Sequence, residues 1–468
     1  MCCVVEVQLA SQMKHPLKLI ELLNALSNNK SHHRDRLHTL EIHSTRPLSS
    51  LPQIIVACSG VTQLSYAVLP FSVAIRPKFQ PIGSGEHVGL TTLRIDTKET
   101  SFDLYALLKH CPSLLRLKVN LMIQLDYHTI LKTCPSIQYI HSGPFNMLYD
   151  YDTHSSRQGK NRVCHGLRHL VLHESHQDRI KNLATLDFIL KQHTTLDLLH
   201  LELEGLIHTD WENLISRLQH HSFHRLKMLC CRSLYGCSGS HLAAWIMACP
   251  NLKHVHLCRI HQLNTPIWQS LLTSRSLEKL ELCIDNPDVL LDQDDPPHVA
   301  GSTLLHHHHR NISGILPWFF QTISRSNTPS LRSLTLSSMG SLLIDSAVLL
   351  AVASIKTLVN LSLEGVERIL VSPQVMVQFL TRLQQHGILE HLSLIRVTCM
   401  EIDMLDILFG MSHLKTLWME KCKPLTAEIV EQWLQGDYRT RNNDNTQNKC
   451  PFSLHEIKID NCMIARIK

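Results

Sequence analysis

The sequence predicts an α/β solenoid, with parallel strands lining a concave face and helices covering a convex one. Three observations carry that expectation. A nine-residue phrase recurs, CPSLLRLKV from Cys111 and CPNLKHVHL from Cys249, with a third copy, CPSIQYIHS, from Cys134. The pattern apolar-x-x-apolar-x-apolar fits sixteen times, with first residues Val4, Leu37, Val61, Leu90, Leu114, Ile137, Leu167, Leu198, Leu226, Leu252, Leu277, Leu331, Leu358, Leu389, Leu414 and Leu454. The two residues flanking each fourth position were free to vary, yet only five of them are apolar (Tyr139, Val171, Met228, Cys230 and Trp418) in a chain that is 44% hydrophobic. That alternation is what a half-buried strand requires, because successive side chains face opposite sides.

The matches fall about 30 residues apart, in or just above the leucine-rich-repeat range of roughly 20–29. A single unit of strand, turn, helix and return cannot bury its apolar face, so about sixteen units are expected to stack into one leucine-rich-repeat solenoid, a horseshoe, over residues 1–468. Taken in order, the array opens on a strand at Val4, and LPQII from Leu51 sits where a convex helix belongs. SFDLYALLKHCPS from Ser101, WENLISRLQHHS from Trp211 and TAEIVEQWLQ from Thr426 read as further helices. In the last of these, Thr426 and Glu428 suit a helix start, and Ile429, Val430 and Trp433 form an apolar stripe. Each C-P-x-L is a join between helix and strand. The proline lacks the N–H a helix needs, and the cysteine before it packs the last turn. Three segments break the period: long loops at 147–166 and 436–451, and a mobile insertion at 285–312 that contains DNPDVLLDQDDPPH and the tract His306–His309. ILPWFFQTIS, after that tract, reads as an ordinary convex helix.

The net charge of +5 is small for 468 residues and argues against nucleic acid or acidic membranes as partners. The 33 histidines make surface potential sensitive to mild acid. MCCVVEVQLA lacks a basic start with a long apolar run, and the longest apolar stretch, Leu342 to Ala353, is short and carries Asp345. With sixteen cysteines and no CxxC pair, the expectation is a cytoplasmic or nuclear chain that uses thiols as small apolar side chains.

The phrase C-P-x-L-x-x-L-x-L, with a later cysteine as in LKTLWMEKC (Leu414 to Cys422) and LHEIKIDNC (Leu454 to Cys462), resembles the cysteine-containing, RNI-like repeats of F-box/leucine-rich-repeat proteins. No F-box is recognisable, and the array starting at Val4 leads us to expect a further N-terminal portion. The resemblance implies a substrate-recognition part of an F-box-type (SCF) ubiquitin ligase. It would hold a protein substrate on the concave face, and the cullin-ligase adaptor would dock on an F-box preceding this chain. A free-standing interaction scaffold is the alternative.

On a concave sheet the polar flanking residues project into the groove. The candidate partner-binding residues are therefore Arg94, Arg116, Lys118, His141, His169, His173, His200, Arg232, His254, His256 and Lys279. With Glu202 and Glu281 interspersed, the middle of such a groove is positive and histidine-rich, suited to an acidic or phosphorylated partner. Equally, these residues could be the solvated face of a sheet. Trp418 lies on the same face, either as a binding anchor or covered by the 436–451 loop, whereas Trp211, Trp245, Trp268, Trp318 and Trp433 fall on helices and are expected to pack there.

No cofactor and no metal site are expected. The His306–His309 tract, with Asp292, Asp294 and Asp295 nearby, offers weak zinc or nickel ligands but reads as low-complexity loop, and His254 with His256 lacks a second-shell carboxylate in the pattern. Nor is an enzyme expected. PIGSGEHVG precedes a strand instead of joining strand to helix, there is no GxxxxGK[ST], HESH is not HExxH, and YGCSGSH lacks GxSxG spacing.

Overall fold

The computed structural model describes residues 3–9, 37–44, 51–57, 61–68, 89–97, 102–121, 125–143, 166–174, 179–203, 205–218, 220–234, 236–260, 263–284, 304–325, 331–338, 344–435, 456–459 and 462–466. The chain divides into two compact units, Met1–Leu206 and Ile207–Lys468. In a repeat array each repeat contacts mainly its neighbours, so a chain of this kind can divide between any two of them.

The first unit carries strands β1 (Cys3–Leu9), β2 (Leu37–Ser44), β3 (Gln63–Val68), β4 (Thr92–Asp96), β5 (Arg116–Asn120), β6 (Tyr139–Ser142), β7 (His169–Glu174) and β8 (Leu198–Leu203). Each pairs in parallel with the next in chain order. Parallel neighbours need a crossover, and helices α1 (Leu51–Ala57), α2 (Leu104–Leu108), α3 (Tyr127–Thr133) and α4 (Arg179–Lys191) supply it. Leu93, Ile95, Leu117, Val119, Ile140, Leu170, Leu172, Leu199 and Leu201 alternate with the polar positions and are at most 1% exposed. They form the seam between strands and helices.

The second unit repeats the plan with β9 (Met228–Arg232), β10 (His254–Cys258), β11 (Lys279–Ile284), β12 (Ser333–Ser338), β13 (Asn360–Glu364), β14 (His391–Ile395), β15 (Thr416–Glu420) and β16 (Glu456–Ile459), again parallel in chain order. One element departs from the repeat: β17 (Cys462–Arg466) returns antiparallel to β16 and occupies the hydrogen-bonding edge that β16 would otherwise leave open. The helices are α5 (His208–Leu218), α6 (Gly239–Met247), α7 (Thr265–Thr273), α8 (Leu304–Arg325), α9 (Ser346–Val352), α10 (Pro373–His386), α11 (Met404–Phe409) and α12 (Ala427–Gln435). Aromatic pairs link successive helices: Trp211 with Trp245 at 6.2 Å, Trp268 with Phe319 at 5.0 Å, and Phe409 stacked on Trp433 at 4.6 Å between ring centroids. Trp318 departs from its expected role. It is 42% exposed, and the neighbouring Phe319 fills the packed position.

The recurrent C-P-x-L phrase is a tight turn. The backbone carbonyls of Cys111, Cys134 and Cys249 accept from the N–H groups of Leu114, Ile137 and Leu252, three residues on. All three thiols are fully buried. Cys134 Sγ lies 3.5 Å from the carbonyl of Leu108 and 3.3 Å from that of Cys111, bonding one repeat to the one before it. Phe223, Ile355, Met411 and Ser274 stand at the same turn in other repeats, so the turn itself does not require a thiol. Residues 147–165, 285–303 and 436–451 of the expected loops and insertion lie outside the described residues. Residues 304–312 belong to α8, so the backbone at the His306–His309 tract is helical and not loop. Among the described residues no helix is long and apolar enough to cross a membrane.

A left-handed residue often follows a strand. Gly143 (φ +125°) follows β6 and Lys421 (φ +53°) follows β15. A Cβ on Gly143 would lie 2.4 Å from His173 Cβ, so only glycine fits there. Gly143→Ala is expected to lower stability by about 2–4 kcal/mol, whereas Lys421→Gly should raise it by about 0.5–1 kcal/mol through relief of strain. Urea-unfolding midpoints of the two variants, moving in opposite directions, provide the check.

Candidate functional site: the strand faces

The strand face turned away from the helices is built by register. In the first unit Glu41, Ser65, Arg94, Lys118, His141, Val171 and His200 follow one another across β2 to β8. The adjacent lane runs Thr39, Gln63, Thr92, Arg116, Tyr139, His169 and Leu198. Arg94 is exposed, and Arg116, Lys118 and His169 are half-buried. The Arg94 and Lys118 backbones are direct partners, which sets two cations opposite each other about 4.8 Å apart at the main chain. Lys118 Nζ lies 5.6 Å from the centre of the Tyr139 ring.

Towards β8 the face changes character. His141 is 7% exposed and His200 fully buried, so neither offers a surface to a partner as the sequence reading expected. The cause is ring against ring. The imidazoles of His141 and His173 lie 5.5 Å apart, and those of His173 and His200 4.5 Å apart, so neighbouring side chains cover one another at strand spacing. His173 Nδ1 lies 2.7 Å from Glu202 Oε2.

That pair was hidden by an ambiguity of frame. Leu196, Leu199 and Leu201 satisfy the repeat pattern as well as Leu198, Leu201 and Leu203 do. The structure uses the first set, since His169 faces Leu198 and Val171 faces His200. A slip of two residues keeps every side chain on its face but moves it one rung along. The frame at Leu196, matching Leu167 before it, is the signal that would have paired His173 with Glu202.

In the second unit Met228, His254, Lys279, Ser333, Asn360, His391 and Thr416 form one lane, and Cys230, His256, Glu281, Thr335, Ser362, Ser393 and Trp418 the next. Arg232 is half-buried on β9, and Trp418 is 39% exposed on β15. Here the expected positive groove is altered by one carboxylate. Glu281 lies 2.6 Å from Lys279 Nζ, 3.0 Å from His256 Nδ1 and 3.3 Å from His254 Nε2. His256, only 5% exposed, is no more open to a partner than His200 is, and His254 and Lys279 already hold an anion from their own chain. Burial disfavours charge on Glu281, but hydrogen bonds from His254 and His256 outweigh it and hold the carboxyl well below its usual range. Burial also opposes charge on His256, and its contacts with Cys230 and Glu281 override this and raise its pKa. His254 goes the other way, lowered by burial against its bond to Glu281.

No family model matches the chain, and no curated protein matches it. Among solved structures, a chain of the Toll–Spatzle complex, a molecular hub in Drosophila development and innate immunity, is similar at 12% identity with a TM-score of 0.32. The match covers 90% of this chain and 50% of that one.

The Glu281 cluster has a defined pH dependence. A depressed carboxylate contributes stability that is present above about pH 4.3 and lost as pH falls through its lowered value. The raised His256 contributes fully below about pH 6.5 and loses that contribution as pH rises towards its raised value. The stability difference between the native chain and Glu281→Gln is therefore expected to be largest between about pH 5 and 6.5 and to shrink towards pH 9. Urea unfolding at a series of pH values measures it, and a pH-independent difference would contradict the assignment.

Proposed function

We propose that the chain is a non-catalytic protein-interaction module whose first unit binds an acidic or phosphorylated protein segment on its strand face. The observation that carries this reading is the Arg94–Lys118 cross-strand pair with Arg116 in the adjacent lane. An anion placed between cations on neighbouring strands is attracted by both and can accept from both. Tyr139, beside Lys118, is only 4% exposed and supports the lysine from below without reaching a partner. The second unit is the weaker candidate, because Glu281 already holds Lys279 and His256.

A finer reading makes this module the substrate-recognition part of an F-box-type ubiquitin ligase. What supports it is the C-P-x-L join with its buried cysteine, the feature in which the sequence resembles F-box/leucine-rich-repeat proteins. Affinity purification of the protein expressed from its own gene tests this. Recovery of the adaptor that bridges F-boxes to the cullin supports the ligase reading, and its consistent absence leaves a free-standing scaffold.

For the binding face itself, a peptide library carrying single phosphoserines or glutamate triplets is the probe. Bound members should lose about 30-fold or more in affinity on the double change Arg94→Glu, Lys118→Glu and should bind more weakly as salt rises. Binding that survives the charge reversal would overturn the assignment.

A further inference from the structure

We propose that His173, His200 and Glu202 form a binding site for a divalent transition metal of the zinc class. This goes beyond the interaction reading and does not depend on it. One donor atom from each of the three residues lies within 4.8 Å of the other two. They come from two hydrogen-bonded strands of one sheet. His173 on β7 and Glu202 on β8 are register partners, and His200 precedes Glu202 by two residues, which returns its side chain to the same face. A sheet of this kind is stiff, and stiffness is what a ligand set needs to keep its geometry without metal.

The chemistry of the donors selects the ion. Two imidazole nitrogens and a carboxylate oxygen suit zinc, cobalt, nickel or iron, whereas calcium and magnesium favour all-oxygen shells. Zinc bonds of about 2.0–2.1 Å place tetrahedral ligands roughly 3.4 Å apart. The His173 Nδ1–Glu202 Oε2 contact of 2.7 Å would open slightly, while the widest donor separation of up to 4.8 Å would close. In the metal-free state a proton shared between His173 and Glu202 stands where the ion would go.

Surroundings favour the assignment. The side chain of His173 is 6% exposed and that of Glu202 22%, so the site is shielded yet reachable from the carboxylate side. Gly143, at the exit of β6, leaves the space against His173 that any side chain would fill. Three protein ligands leave a fourth position for water or for a donor from a bound partner. A second cluster, His208, Glu212 and His241, meets the same distance criterion but is less suited. His241 Nδ1 already accepts from the Ser238 N–H in the cap of α6, so the neutral ring carries its proton on Nε2, and His208 and Glu212 are exposed.

The experiment uses the full chain with His306 to His309 replaced by glutamine, which removes the tract's own affinity for metal. After chelator treatment, cobalt(II) and zinc(II) are titrated in turn. The expected result is one equivalent of cobalt with visible bands and no thiolate charge-transfer band. Affinity should fall more than ~100-fold in His173→Gln and in the near-isosteric Glu202→Gln. His208→Ala should bind as its parent does, and binding should weaken in acid, where protons compete with the metal for its ligands. Circular dichroism of each metal-free variant separates lost ligation from lost folding, and zinc X-ray absorption on the parent chain, showing imidazole and oxygen without sulfur, reads the site without any substitution in it. The proposal is overturned by a parent chain that takes up no cobalt or zinc at micromolar concentration, by binding retained in both folded variants, or by sulfur in the zinc shell.

Discussion

The rest of this structure depends on parallel pairing in chain order. When each repeat contributes one strand and each strand bonds to the next, equivalent positions stack about 4.8 Å apart, and any chemistry at one repeat is brought against the chemistry of its neighbours. Apolar stacks make the seam with the helices, as at Leu117, Ile140, Leu170 and Leu199. Polar stacks have no such simple outcome. They set like charges on neighbouring rungs, as at Arg94 and Lys118, or bond, as His173 and Glu202 do, or bury one another, as the rings of His173 and His200 do.

Much of this was legible in the amino-acid pattern because the repeat imposes it locally. Strand positions, helix positions and the C-P-x-L turn follow from alternation and from a proline without an N–H, and neither needs distant contacts to be read. What was not legible is whatever depends on which rung faces which. At β8 two leucine frames compete, and nothing within Leu196–Leu203 decides between them; hydrogen bonding to β7 decides. The consequence fell on the site, since the frame that starts at Leu198 separates Glu202 from its true partner His173. Trp318 and Phe319 show the same limit on a helix. Phe319, 5.0 Å from the ring of Trp268, and Phe320 are both fully buried while Trp318 is 42% exposed, and only the contact with the preceding helix separates them.

The cysteines separate packing from reactivity. Burial pushes Cys111 and Cys134 up to about 12, each thiol lies against backbone carbonyls of its own or the preceding repeat, and both are free thiols. A thiolate is the form that attacks or binds metal, so thiols raised this far act as small apolar side chains with a weak donor. The metal site proposed on β7 and β8 accordingly uses imidazole and carboxylate and not the thiols of Cys111 and Cys134.

Whether a strand face recognises a partner or merely meets water turns on where its charges are balanced. In the second unit one carboxylate draws in a lysine and two histidines, and burial strengthens those contacts, so an incoming anion would have to displace Glu281 and leave it buried beside like charge. In the first unit Arg94 and Lys118 stand directly opposite each other on adjacent strands, which is the arrangement the proposed anion contact uses. The two units share one repeat plan and one kind of face. They differ because the rung facing the histidines of β10 carries Lys279 and Glu281, whereas the rung facing Arg94 carries a second cation.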